Sequence, residues 1–147
     1  MRYLLDTNIL LRFVNRRDRL HATMRAAVQT LRHQGHYLCV APQNCVEFWN
    51  VATRPVDRNG FGLPPIEADR SLRLIERLFY IVPEQPTVYG EWRRLVLQFG
   101  VAGVQVHDAR LVAMMRVHHI THILTANTAD FARYTNIGIT AVAPTNI

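Results

Sequence analysis

Four carboxylates, Asp6, Glu47, Asp108 and Asp130, are the side chains in this sequence best able to do chemistry. They lie far apart along 147 residues, yet each sits beside a strand end or a helix start. Two carboxylates brought to about 4 Å repel by roughly 4 kcal/mol at an effective dielectric of about 20. Four meeting at one place would require either protonation or a cation. Hard oxygen donors select magnesium or manganese over zinc. Magnesium keeps several waters and uses few carboxylates, which leaves positions for a phosphate oxygen and an attacking water. Taken singly, the aspartates also fit a plainer role. Asp6 and Asp108 fall where helix caps occur, and Asp130 could cap a short helix over residues 131–134. Glu47 differs, because Val46, Phe48 and Trp49 around it predict a largely buried helix in which an acid needs a partner.

The elements that must position these acids are legible from periodicity. Arg2 to Leu5 reads as a short buried strand ending at Asp6, followed by the helix-capping triplet Asp6-Thr7-Asn8. Leu20, Met24, Ala27, Val28 and Leu31 recur at helical spacing over roughly residues 19–34, and Gly35 stops that helix. His36 to Ala41 predicts a second strand, and Pro42 opens a helix that carries Glu47 and closes at Arg54-Pro55. Residues 55–65, with Gly60, Gly62 and the Pro64-Pro65 pair, form the clearest loop, a connector that could also touch a partner. Leu72, Ile75, Leu78 and Phe79 mark the next helix, and Tyr80 to Val82 a third strand. A helix starting near Pro86 buries Val88, Trp92, Leu95, Val96 and Phe99, and another begins near His107-Asp108. Thr121 to Thr125 and Ile139 to Val142 complete the strands. Strands alternating with helices predict an α/β fold, a parallel sheet of four to five strands covered on both faces, in one domain over residues 1–147. In such a sheet ligands gather at the carboxyl ends of the strands, where all four acids can converge. The other acids, Asp18, Asp57, Glu67, Asp69, Glu76, Glu84 and Glu91, are expected to be solvated.

Composition narrows the partners. The formal charge is +6 and all 17 basic residues are arginine. A genomic codon bias accounts for the missing lysines, whereas the net positive charge points to a polyanion, with nucleic acid foremost. Arg12 and Arg110 stand nearest the acids in sequence and could bind flanking phosphates. No stretch reaches the roughly 18 apolar residues a membrane helix needs, and Asp6 interrupts any signal-peptide core, so a cytoplasmic address is expected. Cys39 and Cys45 read as reduced packing residues. His118, His119 and His122 suit a helix end and the following strand better than a zinc site. Trp49 and Trp92 read as core.

Four local motifs add a family. Leu4-Leu5-Asp6-Thr7-Asn8-Ile9-Leu10, Val46-Glu47-Phe48, His107-Asp108-Ala109-Arg110-Leu111 and Leu124-Thr125-Ala126-Asn127-Thr128-Ala129-Asp130-Phe131 closely resemble the signature blocks of PIN-domain nucleases. The likeness is strongest to the VapC-type toxins of bacterial toxin–antitoxin pairs. Each block is weak alone, but four in order over nearly the whole chain are specific. The resemblance implies a three-layer α/β/α fold, magnesium- or manganese-dependent cleavage of RNA, a homodimer and an antitoxin that blocks the site. It places Asp6, Glu47 and Asp108 on the family's three most dependable acids and Asp130 on its more variable fourth. Thr7, Asn8, Thr125 and Asn127 match supporting polar positions, and Asn127 stands where some relatives carry an acid.

Rival classes fit less well. A haloacid-dehalogenase-like phosphatase wants a second acid where Asn8 stands, and both it and a receiver domain want a lysine that the chain lacks. No glycine-rich phosphate loop is present. An RNA-processing nuclease without a toxin role, or a non-catalytic RNA-binding module on the same fold, remains as the alternative.

Overall fold

A computed structural model describes residues 1–147. Five parallel strands form one sheet in the order β3-β2-β1-β4-β5, with β1 at Arg2–Leu5, β2 at Tyr37–Val40, β3 at Tyr80–Ile81, β4 at His122–Leu124 and β5 at Thr140–Val142. Between β1 and β2 the chain makes α1 (Thr7–Val14) and α2 (His21–His33); α3 (Pro42–Thr53) and α4 (Pro65–Leu78) lead to β3. It then crosses to the far side of β1 through α5 (Thr87–Gln98) and α6 (Val106–Val117), and a 3₁₀ segment, Thr128–Ile137, joins β4 to β5.

Alternation along the strands explains the three layers. Leu4, Cys39 and Ile123 point into one hydrophobic cluster with Val88, Leu95 and the buried side of α6. Their neighbours Leu5, Val40 and Leu124 point into a second cluster with α2, α3 and α4. The clusters hold 17 and 16 buried residues, so neither face of the sheet can be left to water. Leu111 through Met115 are all buried, which makes α6 a core helix with no broad polar face. Gly60 is required by a close approach, since a Cβ there would stand 1.9 Å from the Arg54 carbonyl oxygen.

The elements follow the sequence pattern closely, with four differences. The capping triplet at Asp6 opens a full helix, α1, which buries Ile9 and Leu10 on only two turns of chain. The helix carrying Glu47 is less buried than its apolar neighbours suggest, because Val46 is 71% exposed while Phe48 is fully covered. Glu91, expected in solvent, accepts from Arg94 at 2.6 Å and from Arg116 at 2.5 Å. Both arginines lower its pKa, Arg94 most; Arg94 does so from within α5, and Arg116 ties α5 to α6. Trp92 is only half-buried: it packs against the core and donates through Nε1 to the Val106 carbonyl at 2.9 Å.

Cys39 and Cys45 are free thiols belonging to different faces of the sheet. His118 meets the Pro83 carbonyl and His122 lies in β4. No helix is long and apolar enough to cross a membrane. Because both faces are covered, Ile123→Ala and Leu124→Ala should each cost about 2–5 kcal/mol in urea unfolding although their side chains point oppositely. A loss confined to one of them would contradict the three-layer packing.

Candidate active site

The sheet order reverses at β1, whose carboxyl end faces β2 on one side and β4 on the other. Asp6 follows immediately, at the switch point where open parallel sheets bind ligands. Its backbone N–H donates to the Leu124 carbonyl at 3.0 Å, which extends the β1–β4 pairing to this residue. The side chain is 7% exposed and is met by neutral donors. Thr7 N–H donates to Oδ1 at 2.7 Å; the Thr125 hydroxyl and the Asn8 amide donate to Oδ2 at 2.7 and 3.0 Å. Burial raises the pKa of Asp6, the three donors oppose that rise, and the charge of Glu47 adds to it.

The supporting residues are themselves tied down. Thr125 Oγ accepts from the Asn127 N–H at 3.0 Å and the Asn8 amide at 3.3 Å, while Asn8 Oδ1 accepts from the Ala126 N–H at 3.1 Å. On the other side, the Thr7 hydroxyl donates to Glu47 Oε2 at 2.7 Å and accepts from Asn44 Nδ2 at 3.1 Å. Asn44 is fully buried, and its Oδ1 accepts the Ala41 N–H at 3.0 Å, which fixes the entry of α3. Gln43 donates from Nε2 to Glu47 Oε1 and to the His107 carbonyl, each at 2.8 Å. Sequence reasoning overlooked both Asn44 and Gln43. Their signal was present: two amides in the first turn of a helix whose opening Pro42 leaves orphan backbone donors to be met.

Asp108 lies in the first turn of α6, half-buried, without a side-chain hydrogen bond, and does not cap the helix. Its pKa is pushed up to about 6, first by burial, then by the charges of Asp6, Asp130 and Glu47, against a small opposing pull from His107. Asp130 lies in the first turn of the 3₁₀ segment, exposed. Thus the other three acids stand within electrostatic reach of Asp108. None of the six ion pairs in the chain engages any of them. Of the arginines nearest in sequence, Arg12 pairs with Asp18 at 3.6 Å, whereas Arg110 donates to Gln43 and to Glu84.

Such uncompensated negative charge suits a hard divalent cation. No three of the chain's acids, histidines and cysteines close around one point. The carboxylate oxygens are hard donors and fit a hard divalent cation that keeps part of its water shell.

With this geometry in place, comparison with known proteins defines the class. The family model of the PIN domain matches residues 3–137, and the chain belongs to the PIN domain family. No curated protein matches the sequence. Among solved structures, VapBC2 from Rickettsia felis, bound to a DNA fragment from its promoter, superposes with a TM-score of 0.70 at 12% identity, covering 97% of this chain and 98% of that one. VapBC-1 from nontypeable Haemophilus influenzae gives 0.68 at 18% identity, covering 99% of both chains. VapC20 from Mycobacterium tuberculosis, a sarcin–ricin-loop-cleaving toxin, gives 0.64 at 14% identity, covering 95% and 98%. At these identities the likeness is one of fold.

Two outcomes follow. An Asp108 carboxyl that ionises near pH 6 in the folded chain, against 3.8 ordinarily, favours folding at low pH and loses that contribution as pH rises through 6. Asp108→Asn should therefore raise the melting temperature of metal-free protein at pH 7, with the gain vanishing below about pH 4. Asn44→Ala should cost about 1–3 kcal/mol in urea unfolding by stranding the Ala41 N–H and freeing Thr7.

Proposed function

We propose that this chain is a magnesium-dependent endoribonuclease and the toxin of a type II toxin–antitoxin pair, with residues 1–147 forming one nuclease domain. The observation that carries the nuclease reading is the set of four acids, one of them buried, that share an edge of the sheet with no basic side chain paired to them. Membership of the PIN family supports the same reading.

Asp6 and Asp108 would hold a magnesium ion, or manganese in its place, with Glu47 and Asp130 completing the shell directly or through water. When bound, such an ion supplies the Lewis acidity that activates water and polarises a scissile phosphate. Thr7, Asn8 and Thr125 keep the Asp6 carboxylate in one orientation, so no reorganisation is needed when substrate arrives. Glu47, gripped at one oxygen by Thr7 and at the other by Gln43, is positioned to orient the attacking water. Asp130, whose exposed side chain has no hydrogen-bond partner, would accept its proton. Asn127 supports the site through its backbone, which fixes Thr125.

The substrate and partners are read from the chain's chemistry and its kin. Seventeen arginines and a formal charge of +6 favour a nucleic acid, and RNA is the reading taken from kinship, one structural neighbour being a sarcin–ricin-loop-cleaving toxin. A cytoplasmic address is part of the same proposal. The VapBC complexes among the structural neighbours support a cognate antitoxin as partner, and a homodimer as the working form belongs to the same proposal.

Purified protein should cut RNA with magnesium or manganese and stop when the ion is chelated. Asp6→Asn and Asp108→Asn should each lower the rate by more than about 100-fold with the fold intact by circular dichroism. Full activity in either variant, freed of wild-type enzyme, would refute the mechanism. Expression of the chain alone should arrest growth, relieved by the product of a short open reading frame beside its gene. Harmless accumulation of active enzyme would point instead to an RNA-processing role, and metal binding without cleavage to an RNA-binding module.

A further inference from the structure

A cleft of about 410 Å³ lies between the segment after β3, the first half of α5 and Arg110 of α6. That size falls in the roughly 300–1,000 Å³ range of small-ligand sites. Its walls are Pro86, Val88, Tyr89 and Trp92, and its polar groups are the Glu84 carboxylate, the Gln85 amide and the Arg110 guanidinium. Tyr89 is 67% exposed, an aromatic left in water beside Trp92, with ring centroids 6.0 Å apart and a 36° tilt. Trp92 is fixed by its bond to the Val106 carbonyl, so this face is held ready.

The cleft is wired to the acids. Arg110 Nη2 donates to both oxygens of Glu84 at 3.1 and 3.2 Å, and Arg110 Nη1 donates to Gln43 Oε1 at 3.2 Å. Gln43 in turn donates to Glu47 at 2.8 Å. Val106, which anchors Trp92, begins the same helical turn that carries Asp108.

We propose that this cleft seats a guanine base of the RNA strand, adjacent to the phosphate being cut; the assignment rests on the ribonuclease reading above. The aromatic faces supply stacking, which is tolerant of base identity. Glu84 supplies the choice. Arg110 meets both oxygens through Nη2 alone, so a guanine edge that takes both oxygens displaces that one nitrogen and leaves Arg110 its bond to Gln43. Guanine presents two adjacent donors, N1–H and the 2-amino group, that match a carboxylate. In adenine and cytosine the amino group is flanked by an acceptor nitrogen, and in uracil the N3–H stands between two carbonyls.

Equilibrium dialysis of the wild-type chain in chelator, against the 5′-monophosphates of guanosine, inosine, adenosine, cytidine and uridine, tests this without requiring cleavage. Guanosine monophosphate should bind about tenfold more tightly than inosine monophosphate, which lacks only the 2-amino group, and than the other three. Tyr89→Ala and Glu84→Gln, both at exposed positions, should each weaken it about tenfold, and Glu84→Gln should erase the preference over inosine. Equal binding of the guanosine and inosine nucleotides, no binding, or indifference to both substitutions overturns the assignment even if the chain cuts RNA well. Selective binding without any RNA cleavage would keep the cleft and remove the ribonuclease reading. In a cleavable RNA, inosine replacing guanine should slow the cut about tenfold at one flanking position; no sensitive position overturns the placement of the base in the strand.

Discussion

A carboxylate buried at the carboxyl end of the first strand, held by neutral donors alone, is the constraint on which the rest of the site depends. Removing Asp6 from water favours its protonated form, and only the hydrogen bonds from Thr125, Thr7 and Asn8 work against that. An arginine would have served better for stability. The contrast with Glu91 is instructive, since two arginines close on that acid and one of them, Arg116, locks α5 to α6. The chain thus places cations where acids are structural and withholds them from the sheet edge, although 17 arginines were at hand. Charge left unpaired at such a place is a reservoir for a cation and for a polyanion that follows it.

The donors that steady Asp6 come from two directions, and each does a second task. Thr125 follows β4 and is gathered by Asn127 and Asn8, so the loop after β4 cannot drift without loosening the carboxylate. Thr7 starts α1 and hands its proton to Glu47 while taking one from the buried Asn44. Asn44 in turn closes on Ala41, where β2 gives way to α3. The polar web therefore binds β1, β2 and β4 at their carboxyl ends, where the parallel ladder stops. Its members also meet one another's hydrogen-bonding needs, which is why so polar a patch can sit against two apolar clusters.

The first turn of α6 serves three purposes at once. It carries Asp108, its Val106 carbonyl pins the Trp92 indole, and its His107 carbonyl receives Gln43. Because the remainder of the helix is core on nearly every side, that turn is rigidly placed by packing and not by its own capping. Groups that must hold a metal, a phosphate and a base in fixed relation gain from standing on such an element.

Much of this was legible in the residues. Alternation and helical spacing marked every strand and five of the six helices, since burial on both faces of a parallel sheet leaves a strong local pattern. Motif order pointed to Asp6, Glu47, Asp108 and Asp130 and to the family. The helix α1 escaped because eight residues give too little periodicity, and Val46 misled because an apolar side chain need not be buried. Glu91 and Trp92 could not be placed, as one depends on Arg116 from another helix and the other on the depth of a groove. Sequence by itself determined which side chains were available and on which elements they ride, because those follow from patterns within a dozen residues. Only the tertiary structure decided who meets whom: Thr125 reaches Asp6 across 119 residues and Asn44 reaches Thr7 across 37, contacts set by strand register and chain crossing, to which no local pattern is sensitive.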